Sequence, residues 1–116
     1  TQLRASDGHN KLLDQLTWAA YQEHGPLLLV SAGVDITRPL SMQGDTFWWG
    51  GRMFRGIDAP YGIFKRIVRG FDFSGGGAEV NPYTATLDDR CGFGGDLIAA
   101  CFDADGGLDD MISATE

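Results

Sequence analysis

The stretch Pro26-Leu27-Leu28-Leu29-Val30, followed by Ser31-Ala32-Gly33-Val34, is the longest apolar run in this chain of 116 residues. It is short, and it follows the turn-forming pair Gly25-Pro26. A continuous apolar run of this length predicts a strand over 27–34 that is buried on both faces. The run is much shorter than the stretch of about 18 apolar residues that can span a bilayer, so the sequence predicts no membrane segment.

Helices are predicted on both sides of this strand. In the segment 10–24, Leu12, Leu16 and either Ala19 or Ala20 share one stripe at helical spacing, and Gly25-Pro26 ends the pattern. In the segment 59–69, proline stands near the start and apolar residues recur at helical spacing from Ile63 to Val68. A final helical turn is predicted at 108–114.

Three further strands are predicted at 45–55, 78–87 and 96–102, where aromatic, β-branched or continuous apolar residues lie between glycines and prolines. The predicted fold class is therefore α+β, with two layers: a mainly antiparallel sheet of about four strands covered by two or three helices. No internal repeat or linker divides the chain, which indicates a single α+β domain over residues 1–116.

Charge is unevenly distributed along the chain. The sequence has 16 acidic and 9 basic side chains, a formal net charge of -7, and ten of the acids lie within residues 71–116. Five of the bases lie within residues 50–70. Because a net negative protein repels nucleic acid and anionic lipid at long range, neither a nucleic acid nor a membrane surface is expected as a partner.

The two cysteines, Cys91 and Cys101, are too few for a disulfide framework. Cys101 stands in an apolar run, where a buried free thiol is expected. The first residues of the given sequence are polar and show no hydrophobic leader. Together these features predict a cytoplasmic protein.

The segment from Phe47 to Arg55 combines aromatic side chains with arginine. In a strand, the adjacent Trp48 and Trp49 point to opposite faces, so one is expected in the core and the other outside it. An exposed tryptophan beside arginine has the composition of a binding hot spot. The sequence therefore predicts a site for a protein partner, a second copy of the chain, or a small anionic or aromatic ligand, formed by Trp48, Trp49, Arg52, Phe54 and Arg55.

A second candidate site is the turn that follows the predicted strand at 96–102. Asp103 and Asp105 stand one residue apart before Gly106-Gly107. Two carboxylates in a glycine turn can face one hard cation, Mg²⁺ or Ca²⁺. The stretch resembles the phosphatase and transferase motif of haloacid-dehalogenase-like enzymes, which implies Asp103 as nucleophile and Asp105 as acid/base. It also resembles the calcium-binding motif of nucleoside hydrolases, which implies roles for Asp103, Asp105, Asp109 and Asp110.

Two functions are consistent with these patterns. The first is a noncatalytic binding or interaction protein without a cofactor, acting as a homo-oligomer or with a protein partner through the aromatic and arginine residues. The second is a small metal-assisted hydrolase that uses the Asp103/Asp105 turn. The sequence contains neither a nucleophile elbow nor a phosphate-binding loop motif, and the first function is therefore favoured.

Overall fold

A computed structural model describes residues 19–21, 25–49 and 54–115, and the statements that follow concern those residues. They form seven strands in two sheets and one short α-helix. The strands are β1 (Ala19–Tyr21), β2 (Leu27–Val30), β3 (Arg66–Arg69), β4 (Glu79–Val80), β5 (Thr84–Thr86), β6 (Leu97–Phe102) and β7 (Leu108–Ala114). The helix is α1 (Thr46–Trp49), and 3-10 helical turns occupy Leu40–Met42 and Phe54–Gly56.

The larger sheet has five strands in the order β1-β2-β3-β5-β4. Its three middle strands are parallel, whereas β1 and β4 pair antiparallel at the two edges. Central parallel strands are commonly covered on both faces, which explains the burial of Ile67 and Val68 in β3, whereas β2 buries Leu28 and Val30 on one face and leaves Leu29 44% exposed on the other. A strand begins at Leu27 as predicted, but it ends at Val30 rather than Val34, and it is buried on one face and not on both.

The hydrophobic core lies on one face of this sheet, beneath the chain that connects β2 to β3. That connection contains α1 and both 3-10 helical turns, and its apolar side chains pack onto the inward residues of the two strands. The buried core cluster consists of Leu28, Val30, Val34, Phe47, Phe54, Ile57, Phe64 and Ile67.

The smaller sheet is an antiparallel hairpin of β6 and β7, with a register shift between Cys101 and Phe102. It is attached to the larger sheet through Arg66. One guanidinium nitrogen of Arg66 donates to the Gly106 carbonyl oxygen at 2.7 Å, and the guanidinium carbon lies 5.7 Å from the centre of the Phe102 ring. The strand predicted at 96–102 is confirmed as one arm of a hairpin, but its expected burial is wrong, since no residue of β6 is buried.

The predicted α+β fold, a mainly antiparallel sheet of about four strands covered by two or three helices, is wrong. The described residues form mostly strands, and the larger sheet is mixed because β2, β3 and β5 run parallel. The predicted helix at 59–69 is a turn, in which Tyr61 and Phe64 exchange backbone hydrogen bonds, followed by β3. Ile63, expected on the buried stripe, is 71% exposed.

Other predicted elements also differ from the structure. The strand predicted at 45–55 is replaced by α1 and a 3-10 helical turn, and the helical turn predicted at 108–114 is β7. The segment 78–87 contains two strands, since Asn81-Pro82 separates β4 from β5. The predicted helix at 10–24 lies outside the described residues except at Ala19–Tyr21, which forms β1. Within the described ranges, no helix is long and apolar enough to cross a membrane.

Candidate functional site

A pocket opens where the loops after β3 and β5 meet. These strands are parallel neighbours, so their carboxyl ends reach the same edge of the sheet, which is where ligands commonly bind in such sheets. The pocket has a volume of about 400 Å³, within the range of small-molecule sites. We call it the carboxyl-edge pocket; its lining residues are Phe71, Asp72, Phe73, Ser74, Gly75, Asp88, Arg90, Cys91 and Phe93.

Asp72 organises the first loop from within. Its carboxylate is buried and accepts hydrogen bonds from the Ser74 hydroxyl (2.7 Å), the Ser74 amide (3.0 Å) and the Gly76 amide (3.1 Å). A Cβ atom on Gly76 would lie 3.3 Å from Oδ2 of Asp72 and 3.0 Å from Nη2 of Arg55. The loop is therefore wrapped closely around one carboxylate.

Two arginines neutralise this carboxylate. Nη2 of Arg55 donates to Oδ2 of Asp72 at 2.7 Å, and Arg55 also pairs with Glu79. Arg69 is buried, its Nη2 lies 3.4 Å from Oδ1 of Asp72, and its Nε donates to the Thr86 hydroxyl at 2.9 Å. The network therefore ties the ends of β3 and β5 to the chain that precedes β3.

The network is ionised at neutral pH. Burial alone would raise the pKa of Asp72, but hydrogen bonds from Arg55, Ser74 and Gly76 outweigh it and hold the pKa of this carboxyl well below its usual range. The hydrogen bond to Asp72 raises the pKa of Arg55. Burial lowers the pKa of Arg69, yet an arginine starts so high that it keeps its proton.

The second loop is shaped by Asp88 and Arg90. One oxygen of Asp88 accepts from the Asp72 amide (3.0 Å) and the other from the Arg90 amide (2.9 Å), which joins the two loops. Arg90 has a φ of 63° and is the one non-glycine residue with a positive φ among those described. Such a conformation costs about 1–3 kcal/mol and is enriched at functional sites.

The rim of the pocket is aromatic. Phe71 and Phe73 meet edge to face with ring centres 6.3 Å apart, and Phe73 and Phe93 are 77% and 83% exposed. The Arg90 side chain lies across Gly75, where a Cβ atom would be 3.6 Å from its Cδ atom. Its guanidinium forms no ion pair or hydrogen bond with the residues that the structure describes. The pocket thus combines exposed rings with an available cation, a combination that suits a flat anion.

The site predicted around Trp48 and Arg55 is only partly assembled at the surface. Trp48 and Trp49 are 47% and 69% exposed, so the expectation that one of them enters the core is wrong. Both lie on α1, where Phe47 takes the core position and its carbonyl oxygen accepts a hydrogen bond from the Ala32 amide at 2.7 Å. Phe54 is buried, Arg55 is held by Asp72 and Glu79, and Arg52 lies outside the described residues.

Asp103 and Asp105 lie in the turn between β6 and β7. Oδ1 of Asp103 accepts hydrogen bonds from the amides of Asp105 and Gly107, both at 2.9 Å, so this carboxylate holds its own turn. The described part of the chain contains no group of three or more histidine, cysteine or acidic residues placed to hold a metal ion. Cys101 is exposed on β6, and the expectation of a buried thiol is wrong. The metal site stays a prediction.

Sequence reasoning did not identify the carboxyl-edge pocket. One local signal was present: in Phe71-Asp72-Phe73, an extended backbone places the two rings on one side and the carboxylate on the other. The second loop, with Arg90 and Phe93, is distant in sequence and joins the site only through the parallel pairing of β3 with β5. The chain matches no known protein family, and neither a curated protein nor a solved structure matches it.

Proposed function

We propose that this chain is a noncatalytic binding domain that takes a small, flat, anionic aromatic ligand in the carboxyl-edge pocket. The observation that supports the proposal is the juxtaposition of the exposed Phe73 and Phe93 rings with the Arg90 guanidinium around one cavity. A ligand ring would pack on the phenylalanines while its carboxylate faces Arg90.

The acids of the pocket support binding over catalysis. The Asp72 carboxylate is used by two arginines and the amides of its own loop, and Asp88 accepts from two backbone amides. Carboxylates that are held in this way shape the two loops of the site, which supports a binding role. Both cysteines are free and exposed, which fits the cytoplasm as the proposed location.

Titration with 2-naphthoate, followed by amide chemical shifts in NMR, tests the proposal. We expect saturable shifts at Ser74, Gly75 and Gly92. Arg90→Gly should abolish them and change the free energy of unfolding by less than about 1 kcal/mol, because glycine tolerates the positive φ that Arg90 adopts.

The neutral isostere naphthalene-2-methanol and the variant Lys65→Ala serve as controls. Lys65 is an exposed cation outside the pocket, so its replacement should leave naphthoate binding unchanged. Shifts of equal size with the neutral isostere, or with Arg90→Gly, would remove the role assigned to Arg90.

A second candidate function is self-association through the indole patch, defined as Trp48 and Trp49. Its support is that two adjacent tryptophans are both largely exposed on α1. Exposed tryptophan is enriched in interface hot spots, which fits a second copy of the chain as the partner.

For this candidate, sedimentation equilibrium should show a concentration-dependent dimer that Trp49→Ser weakens by about tenfold or more. Met42→Ser is the matched control, since Met42 is 65% exposed and lies outside the indole patch. A chain that is monomeric at every accessible concentration, or a dimer that both substitutions weaken equally, would contradict the assignment.

A further inference from the structure

Among the residues that the structure describes, no strand lies beside the outer edge of β7. In that part of the chain the smaller sheet consists of β6 and β7, and all seven residues of β7 are exposed. A two-stranded hairpin is only marginally stable in water, and an open strand edge presents unpaired backbone groups to any extended segment. Within the described chain, β7 is the longest strand, which makes its edge the longest site for strand addition.

At this edge, one backbone amide is hydrogen-bonded to a side chain of its own strand. The Met111 amide donates to Oδ1 of the preceding Asp110 at 2.9 Å. In an antiparallel pair, alternate residues direct their backbone groups away from the partner strand. Met111 is such a residue, and by alternation Ser113 directs its backbone groups outward as well, whereas Asp109 lies at the register shift, where the alternation is interrupted. The Asp110 carboxylate thus stands where the carbonyl of an added strand would bind.

The charge of the hairpin identifies the partner. Residues 91–116 include several aspartates and one glutamate but no lysine, arginine or histidine. Two of these aspartates, Asp109 and Asp110, lie within β7 itself. An added strand would replace the Asp110 carboxylate at the Met111 amide and leave that carboxylate free for a cation. A second copy would instead bring the same two aspartates to the edge, which like-charge repulsion opposes.

We propose that the outer edge of β7 binds an extended peptide segment rich in lysine or arginine by strand addition. Backbone hydrogen bonds to the outward amides of Met111 and Ser113 supply the pairing, and the carboxylates of Asp109 and Asp110 in the same strand select for basic side chains on the added strand. This inference is independent of the carboxyl-edge pocket, since none of the pocket's lining residues belongs to the hairpin.

Fluorescence anisotropy with the full chain tests the proposal. The probe is a labelled peptide as long as β7 that alternates lysine and valine, and the comparison peptide alternates glutamate and valine. We expect the lysine peptide to bind at least about tenfold more tightly, and to weaken as salt is raised to about 0.3 M. A lysine peptide with N-methylated alternate amides, which cannot pair along an edge, should not bind.

The matched protein variants are Ser113→Pro and Ser113→Ala. Proline removes an outward amide that an edge strand does not need for its own pairing, so binding should fall by about tenfold or more, whereas alanine should leave it within about twofold. Asp110→Asn keeps an acceptor for Met111 and should reduce the salt dependence.

Three peptide-binding results would each overturn the proposal: equal affinity for the lysine and glutamate peptides, unchanged binding of the N-methylated peptide, or wild-type affinity in Ser113→Pro. A dimer that Ser113→Pro dissolves and Trp49→Ser leaves intact would assign the edge to a second copy of the chain and would equally overturn it. The N-methylated peptide acts on unmodified protein, so it decides the question even if Ser113→Pro disrupts the hairpin.

Discussion

Replacing Asp72 by alanine is expected to lower the free energy of unfolding by about 3–5 kcal/mol, because removing one partner of a buried ion pair leaves the other charge uncompensated. Arg69, itself 5% exposed, would lose its carboxylate, and Arg55 would keep Glu79 and the Gly77 carbonyl oxygen as partners. The Ser74 and Gly76 amides would lose their acceptor as well. Urea denaturation at neutral pH measures the effect, with an unchanged m-value showing that the transition stays comparable.

Asp58→Ala provides the control for this substitution. Asp58 is an exposed acid in the same chain, so its replacement should change the free energy of unfolding by less than about 0.5 kcal/mol. If the two variants lost similar amounts of unfolding free energy, Asp72 would contribute no more to stability than an exposed aspartate does. That result would contradict the buried network.

The same carboxylate has a defined pH signature. Its pKa in the folded protein lies below the value of about 3.9 expected in the unfolded chain, so its contribution is fully present above that value. The contribution is lost as the pH falls through the acid range toward the folded pKa. The difference in unfolding free energy between wild type and Asp72→Ala should therefore shrink as the pH is lowered below about 4.

The strands at Leu27–Val30 and Leu97–Phe102 were predictable because a short, continuous apolar run has few alternatives once glycine and proline bound it. The secondary structure from Ile63 to Val68 was not predictable, since its apolar spacing fits the buried stripe of a helix as well as a turn followed by a strand. What decides between them is non-local: Ile67 and Val68 pair with β2 on one side and β5 on the other. Tertiary pairing overrides a local period of this length.

For the candidate site, the sequence indicated which types of side chain line it, aromatic and arginine, but not where in the chain they lie. Aromatic and arginine side chains do meet at the surface, but at Phe73, Phe93 and Arg90 rather than around Phe54 and Arg55. The composition of a segment shows which side chains have the chemistry to bind a ligand. Whether those side chains are exposed depends on the fold, which a short segment does not reveal. Phe54 and Arg55 follow α1 onto the covered face of the sheet, where a ring and a guanidinium serve packing and ion pairing.

The substitution Phe54→Ala tests whether the Phe54 ring contributes to stability in the core or to ligand binding at the surface. Phe54 is 2% exposed in the core cluster, and the Arg69 guanidinium carbon lies 4.2 Å from the centre of its ring. Truncating a buried phenylalanine removes its transfer energy and leaves a cavity, so the free energy of unfolding should fall by about 3–5 kcal/mol. Chemical denaturation measures this loss, and Phe54→Leu, which keeps most of the buried volume, should lose clearly less.

Phe73→Ala is the matched control, because it truncates the same side chain where it is 77% exposed. Its unfolding free energy should change by less than about 0.5 kcal/mol, while its affinity for naphthoate should fall. The opposite pattern would be a Phe54→Ala variant that is as stable as wild type but has lost ligand binding. It would support the surface binding site that the sequence predicts around Phe54. The structure predicts that stability depends on Phe54 and binding on Phe73, since one ring lies beneath Arg69 and the other borders the carboxyl-edge pocket.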